Sequence, residues 1–132
     1  MKILLVDDDP IVVLLQKKLM EKAGILDPVI SFNNGEDAVS YLVEHAGDED
    51  KDYLLFLDIN MPGLSGWDVL DTVAEIKLPV RLAVIIITSS IETADKDKAK
   101  RYDNIIDFWV KPFNIMDFVK LKQKKELKGF FD

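Results

Sequence analysis

Cysteine is absent from the 132 residues, which removes disulfides, thiolate metal sites and thiol nucleophiles. The opening Met1–Val6 does not read as a signal peptide, because Asp7, Asp8 and Asp9 cut its apolar run short. The longest later apolar run, Leu82–Ile87, is far too short to cross a bilayer. An excess of positive charge is also lacking. The formal net charge is −7 and the pI is near 4.7, which disfavours direct binding to nucleic acid or to an anionic membrane. No internal repeat, low-complexity segment or interdomain linker interrupts the chain. What remains, 48% hydrophobic and 31% charged residues, is the profile of one globular domain over residues 1–132, expected in the cytoplasm.

The stretch Tyr53–Gly63 organises the rest. Tyr53–Leu57 is apolar without alternation, the pattern of a strand covered on both faces in a parallel sheet, and Asp58 follows at its carboxyl end. Ile3–Val6, Val29–Phe32, Leu82–Ile87 and Ile105–Val110 read as four further strands. Helical patterns lie between them. One opens at Pro10 behind an Asp9 cap, carries Val12, Leu15, Leu19 and Ala23 on its inner face, and stops at Gly24. A second spans Glu36–His45, and a third opens on the capping box Ser65-x-x-Asp68, carries Val69, Val73 and Ile76, and ends before Pro79. A charged helix from Glu92 to Tyr102 and a last one from near Asn114 complete the series. Five strands alternating with five helices, in units of about 25 residues, predict a doubly wound α/β fold with helices on both faces of a parallel sheet.

Polar groups then collect at the carboxyl ends of four strands: Asp7, Asp8 and Asp9; Asp58; Thr88 with Ser89; and Lys111. In open α/β sheets ligands bind at these ends. An aspartate cluster is a hard-oxygen site suited to Mg²⁺, and like charges crowded together are relieved by a divalent cation. A carboxylate nucleophile, a metal, a hydroxyl and an ammonium are together what phosphoryl transfer requires.

On these residues the chain resembles a response-regulator receiver domain across essentially its whole length. The matching pieces are Ile3–Pro10, Leu57–Gly66, Ile87-Thr88-Ser89 and Val110-Lys111-Pro112-Phe113. The resemblance implies a flavodoxin-like (βα)5 three-layer sandwich with strand order 2-1-3-4-5, of the single-domain type. It implies that Asp58 accepts a phosphoryl group from a sensor histidine kinase or a histidine phosphotransfer protein. Asp7, Asp8 and Asp58, with the Asn60 carbonyl, would hold Mg²⁺ or Mn²⁺. Thr88 would hydrogen-bond the phosphoryl group, Lys111 would pair with it across a cis Lys111–Pro112 bond, and Phe108 would be the aromatic switch. Signalling would pass to a downstream protein through the fourth helix, fifth strand and last helix, and a homodimer would use the last two. Such a domain catalyses only its own phosphorylation and dephosphorylation.

Two features depart from the family pattern. Phe108 stands where Tyr is common, and Tyr102–Asp107 is bulky and lacks a Gly. Outside the motifs, His45, the only histidine, reads as a surface residue near a helix end, and Trp67 and Trp109 read as packing. Lys120, Lys122, Lys124, Lys125 and Lys128 read as a solvated basic face on a helix that frays after Leu121, with Phe130-Phe131 folded back. Three other readings fit these residues less well. A haloacid-dehalogenase-type phosphatase would use Asp7, in the pattern Asp7-x-Asp9, but lacks the later acidic pair and room for a cap. A flavodoxin-type electron carrier conflicts with three aspartates where a flavin phosphate would sit. A receiver-like module that is never phosphorylated would not need Asp7, Asp8, Asp58, Thr88 and Lys111 together.

Overall fold

The computed structural model describes residues 1–89 and 93–127. The expectations for Ser90, Glu92, Lys128 and Phe130-Phe131 lie outside the described residues. Five parallel strands, β1 (Lys2–Val6), β2 (Val29–Phe32), β3 (Asp52–Asp58), β4 (Arg81–Thr88) and β5 (Ile105–Val110), form one sheet in the order β2-β1-β3-β4-β5. Helices α1 (Pro10–Lys22), α2 (Gly35–His45), α3 (Gly66–Ile76), α4 (Thr93–Ala99) and α5 (Ile115–Leu121) alternate with them, and a 3-10 turn covers Lys125–Leu127. This is the flavodoxin-like arrangement that the alternation and the resemblance imply.

The sheet has a core on each face. On one side Ile3, Leu5, Phe56 and Ile85 meet Met20 of α1 and Phe118 of α5. On the other, Leu4, Leu55, Leu57 and Val84 meet Leu42 of α2 and Val69 and Val73 of α3. Burial on both faces explains why the central strands read as apolar runs without alternation.

Local signals set the helix ends. The Asp9 carboxylate accepts from Ile11 N at 2.9 Å, and Pro10 takes the first helical position, as expected. Gly24 closes α1 at φ 82°, a left-handed conformation that costs glycine little. Ser65 and Asp68 form the full capping box, with Ser65 N donating to Asp68 Oδ2 at 3.0 Å and Asp68 N to Ser65 Oγ at 3.2 Å.

Several expectations need correction. Leu15 lies on the outer side of α1, and Gln16, at 1% exposure, takes the inner position. Ile76 is also exposed. Helix α3 does end before Pro79, as expected, with Lys77 left-handed at φ 56° as its C-cap. Helix α4 ends at Ala99, not Tyr102, and β3 begins one residue earlier, at Asp52.

Gly66 couples this frame to the strand end that bears Asp58. A Cβ at Gly66 would come within 2.8 Å of both the Asp58 carbonyl oxygen and Ile59 Cα, which are backbone atoms with no freedom to yield. Gly66→Ala should therefore lower stability by about 1–3 kcal/mol in urea unfolding, the scale of overpacking in a close-packed core. A change within about 0.5 kcal/mol would show that the helix can move away.

Candidate functional site

Parallel register brings the site together. Val6 stands opposite Leu57, so the residues that follow them, Asp7 and Asp58, leave neighbouring strands side by side. Asp58 pairs with Ile87 and Thr88 with Val110, which places Thr88 and Lys111 on the same edge. Lys111 N donates to the Thr88 carbonyl at 2.8 Å, and the Lys111–Pro112 bond is cis, as the resemblance implied.

Carboxylate oxygens of Asp7, Asp8 and Asp58 all lie within 4.8 Å of one another. Asp7, Asp58 and Thr88 are buried, whereas Asp8 is exposed. Asp7 Oδ1 accepts from Asp9 N at 2.9 Å, and Asp58 Oδ1 accepts from Asn60 N at 2.9 Å. The Lys111 ammonium stands 3.0 Å from Asp7 Oδ2 and 3.4 Å from Asp58 Oδ2. Toward Asp58 it is an aligned donor. Toward Asp7 Oδ2 it is close but off the hydrogen-bonding direction, and no donor is aligned on that buried oxygen. That contact is a charge pairing rather than a hydrogen bond.

The electrostatics are unequal. Burial raises the Asp7 carboxyl above its ordinary value, and the Asp58 charge adds to the rise. The Asp9 amide and Lys111 offset only part of it. Burial alone would lower the Lys111 ammonium, but two carboxylates overcome this and raise it, so it stays protonated. One cation thus serves two buried acids, with Asp8 at the rim. A hard divalent cation fits this set, because all three donors are carboxylate oxygens and one buried oxygen lacks an aligned donor.

The structure brings Asp7, Asp8, Asp58, Thr88 and Lys111 together, with Asn60 beside them. The Asn60 side chain donates from Nδ2 to Thr88 Oγ1 at 3.2 Å, a link that no sequence pattern signals because it depends on the two rotamers. Phe108 is half-buried on the α3 side of the sheet, where it helps line an open 430 Å³ cleft with Tyr102, Ile105 and Asp107. Trp109 faces the opposite core, against Phe56 and Phe118, as the packing reading expected. His45 sits at the far end of α2, where its Nδ1 lies 2.9 Å from Asp48 Oδ2. Sequence reasoning missed a 210 Å³ cleft beside the acids, lined by Pro10, Val13, Phe32 and Asn33. It also missed the apolar residues Ile11 and Leu14, which α1 exposes at 75% and 55%.

Comparisons with known proteins agree with this geometry. The response regulator receiver domain family matches residues 3–123. The probable methanogenesis regulatory protein FilR2 of Methanothrix harundinacea is 26% identical over 131 residues, covering 98% of this chain and 82% of its own. The nitrate/nitrite response regulator protein NarL of Escherichia coli is 36% identical over 90 residues, 68% of this chain, and this chain spans only 39% of its length. A two component response regulator from Cytophaga hutchinsonii superposes with a TM-score of 0.82 at 27% identity, covering 96% of both chains. No described helix is long and apolar enough to cross a membrane.

The raised Asp7 carboxyl gives a signed prediction for the metal-free protein. Between the ordinary carboxylate value of 3.8 and the raised folded value, the native state binds the extra proton, so ionising Asp7 at higher pH reduces stability. Asp7→Asn in chelator at neutral pH should therefore be more stable than wild type. The gap should close as pH falls through the Asp7 titration. Urea unfolding at stepped pH measures this, and a constant gap would place the strain elsewhere.

Proposed function

The chain belongs to the response regulator receiver domain family of two-component signalling, and we propose that it works as a phosphorylation-controlled switch with Asp58 as the phosphoacceptor. The convergence of Asp7, Asp8, Asp58, Thr88 and Lys111 at the carboxyl ends of β1, β3, β4 and β5 carries this reading. We read residues 1–132 as one receiver domain acting in the cytoplasm, without direct contact to nucleic acid.

The donor is a phosphohistidine on a histidine kinase or a histidine phosphotransfer protein. A carboxylate oxygen of Asp58 attacks the phosphorus in line with the P–N bond. The P–O bond forms as the P–N bond breaks, and the electron pair leaves on the imidazole. Asp7, Asp8 and Asp58, with the Asn60 carbonyl, would hold Mg²⁺, or Mn²⁺ in its place. When bound, the cation offsets the charge of the phosphoryl oxygens and of the crowded carboxylates. Lys111, already 3.4 Å from Asp58 Oδ2, pairs with one phosphoryl oxygen. The Thr88 hydroxyl turns from the Asn60 amide to donate to another. Phe108 follows Thr88 inward, and a downstream protein reads the changed surface of α4, β5 and α5. Attack by water on the acyl phosphate resets the switch.

The exposed Ile11 and Leu14 stand on the first turns of α1, next to the rim formed by Asp8 and Pro10. They suit the donor protein, which must press its histidine into that rim, and have no role with a small phosphodonor. Leu14→Glu should slow transfer from a phosphohistidine protein about tenfold or more, the scale of losing an apolar interface contact. Transfer from a small phosphodonor should be unchanged, and equal slowing of both would remove the docking role.

The decisive test is intact mass after incubation with a small phosphodonor and Mg²⁺. Wild type should gain one phosphoryl group, lost on chelation before incubation, and Asp58→Ala should gain none. A label that persists in Asp58→Ala but disappears in Asp7→Ala would move the nucleophile to Asp7, as in the phosphatase. No label on wild type would favour an unphosphorylated module.

A further inference from the structure

Strand β5 is irregular. Val84 pairs with Ile105, but the next residue, Ile85, pairs with Asp107, so Ile106 is skipped. Side chains alternate along a strand, and one extra residue reverses the alternation after it. Accordingly Ile105 and Phe108 both pack in the core beneath α3, while Ile106 and Trp109 pack in the core beneath α5. Regular alternation from Ile105 would carry Phe108 to the other face.

Asp107 immediately follows the skipped residue, and its carboxylate gathers three donors. Phe108 N donates to Oδ1 at 2.8 Å, the Trp109 indole Nε1 donates to Oδ2 at 2.7 Å, and the Lys124 ammonium lies 2.7 Å from Oδ2. Burial alone would raise this carboxyl, but the three donors outweigh it and hold the group below its ordinary value. Lys124 belongs to a segment that is docked instead of frayed. Lys122 donates to the Gly24 carbonyl at 2.8 Å, and Leu127, at 1% exposure, is buried in the core. Lys122 stays exposed while it makes this bond, so the expectation of a solvated basic face fails only at Lys124, which is part-buried against Asp107. Their partners, Gly24 and Asp107, lie in other elements, where helix periodicity carries no information about them.

We propose that Asp107 and Lys124 form a latch through which segment 122–127 holds β5 in its bulged register and so fixes the face that Phe108 occupies. Asp107 acts as a positioning residue. Two of its donors lie within β5, and the third ties the strand to a segment more than a dozen residues further along. The Lys124 ammonium is the one charged partner of the three and the one that reaches the carboxylate from outside β5. Displacing the segment unlatches the strand. The latch does not depend on the phosphoacceptor reading and would stand if Asp58 were never modified.

Amide exchange and the Trp109 indole resonance of the full chain test it, the resonance being assigned with Trp109→Phe. Lys124→Met keeps the aliphatic stem and removes the charge. It should shift the indole resonance and speed exchange in β5 about tenfold relative to β1, while Lys124→Arg should restore both. Asp107→Asn should speed β5 in the same way and serves if Lys124→Met folds poorly. Uniform acceleration in β1 and β5, or no change in either, would overturn the latch. Neither readout requires a phosphoryl group or a metal.

Discussion

A single ammonium between two buried carboxylates is the constraint on which this structure turns. Lys111 lies 3.0 Å from Asp7 and 3.4 Å from Asp58, with Asp8 at the rim of the same cluster. Three negative charges against one positive charge leave the cluster net negative, in surroundings that screen charge poorly. Such a group persists only where a stable frame holds it. A divalent cation bound among these carboxylates would offset that residual negative charge.

The frame is the sheet. β1, β3 and β4 run through its middle with both faces covered, so the strands that end in Asp7, Asp58 and Thr88 are the ones least free to move. Parallel pairing brings their carboxyl ends to one edge. Gly66 then lets α3 approach the Asp58 backbone to a distance no side chain would permit. Helix, strand and acid are joined by packing at that point, and the capping box at Ser65 fixes where the helix begins.

Much of this was legible in the sequence because its signals are local. An apolar run of strand length, an aspartate directly after it and a capping residue a few positions on are each written into adjacent residues. The acids were placed correctly because parallel topology alone carries strand ends together. What escaped depends on contacts between distant segments. The apolar spacing of α1 offered Leu15 to the core, yet the core beneath α1 and α5 takes Gln16 and leaves Leu15 outside. The lysines after α5 read as a solvated stripe, and only the folded chain shows Lys122 on Gly24 and Lys124 on Asp107. The bulge at Ile106, and with it the face of Phe108, has no glycine to announce it.

The two departures from the family pattern form one arrangement. Phe108 lacks the hydroxyl that is common at its position, so no side-chain hydrogen bond can hold its ring. Nearby, Tyr102 supplies a hydroxyl that is already committed, donating to Asp71 of α3 at 2.7 Å. Its ring stacks on Trp67 at 5.6 Å, and the Lys98 ammonium lies 5.1 Å from the Trp67 ring centre. Burial, with the Asp71 hydrogen bond added, pushes the Tyr102 phenol up to about 12, so it remains a donor throughout the physiological range. The bulky connection before β5 is thus anchored to α3, and Phe108 is left to be governed by packing and by the alternation of its strand. Under the proposed switch, any movement of that ring is set by the volume available beside Tyr102 and by the register of β5.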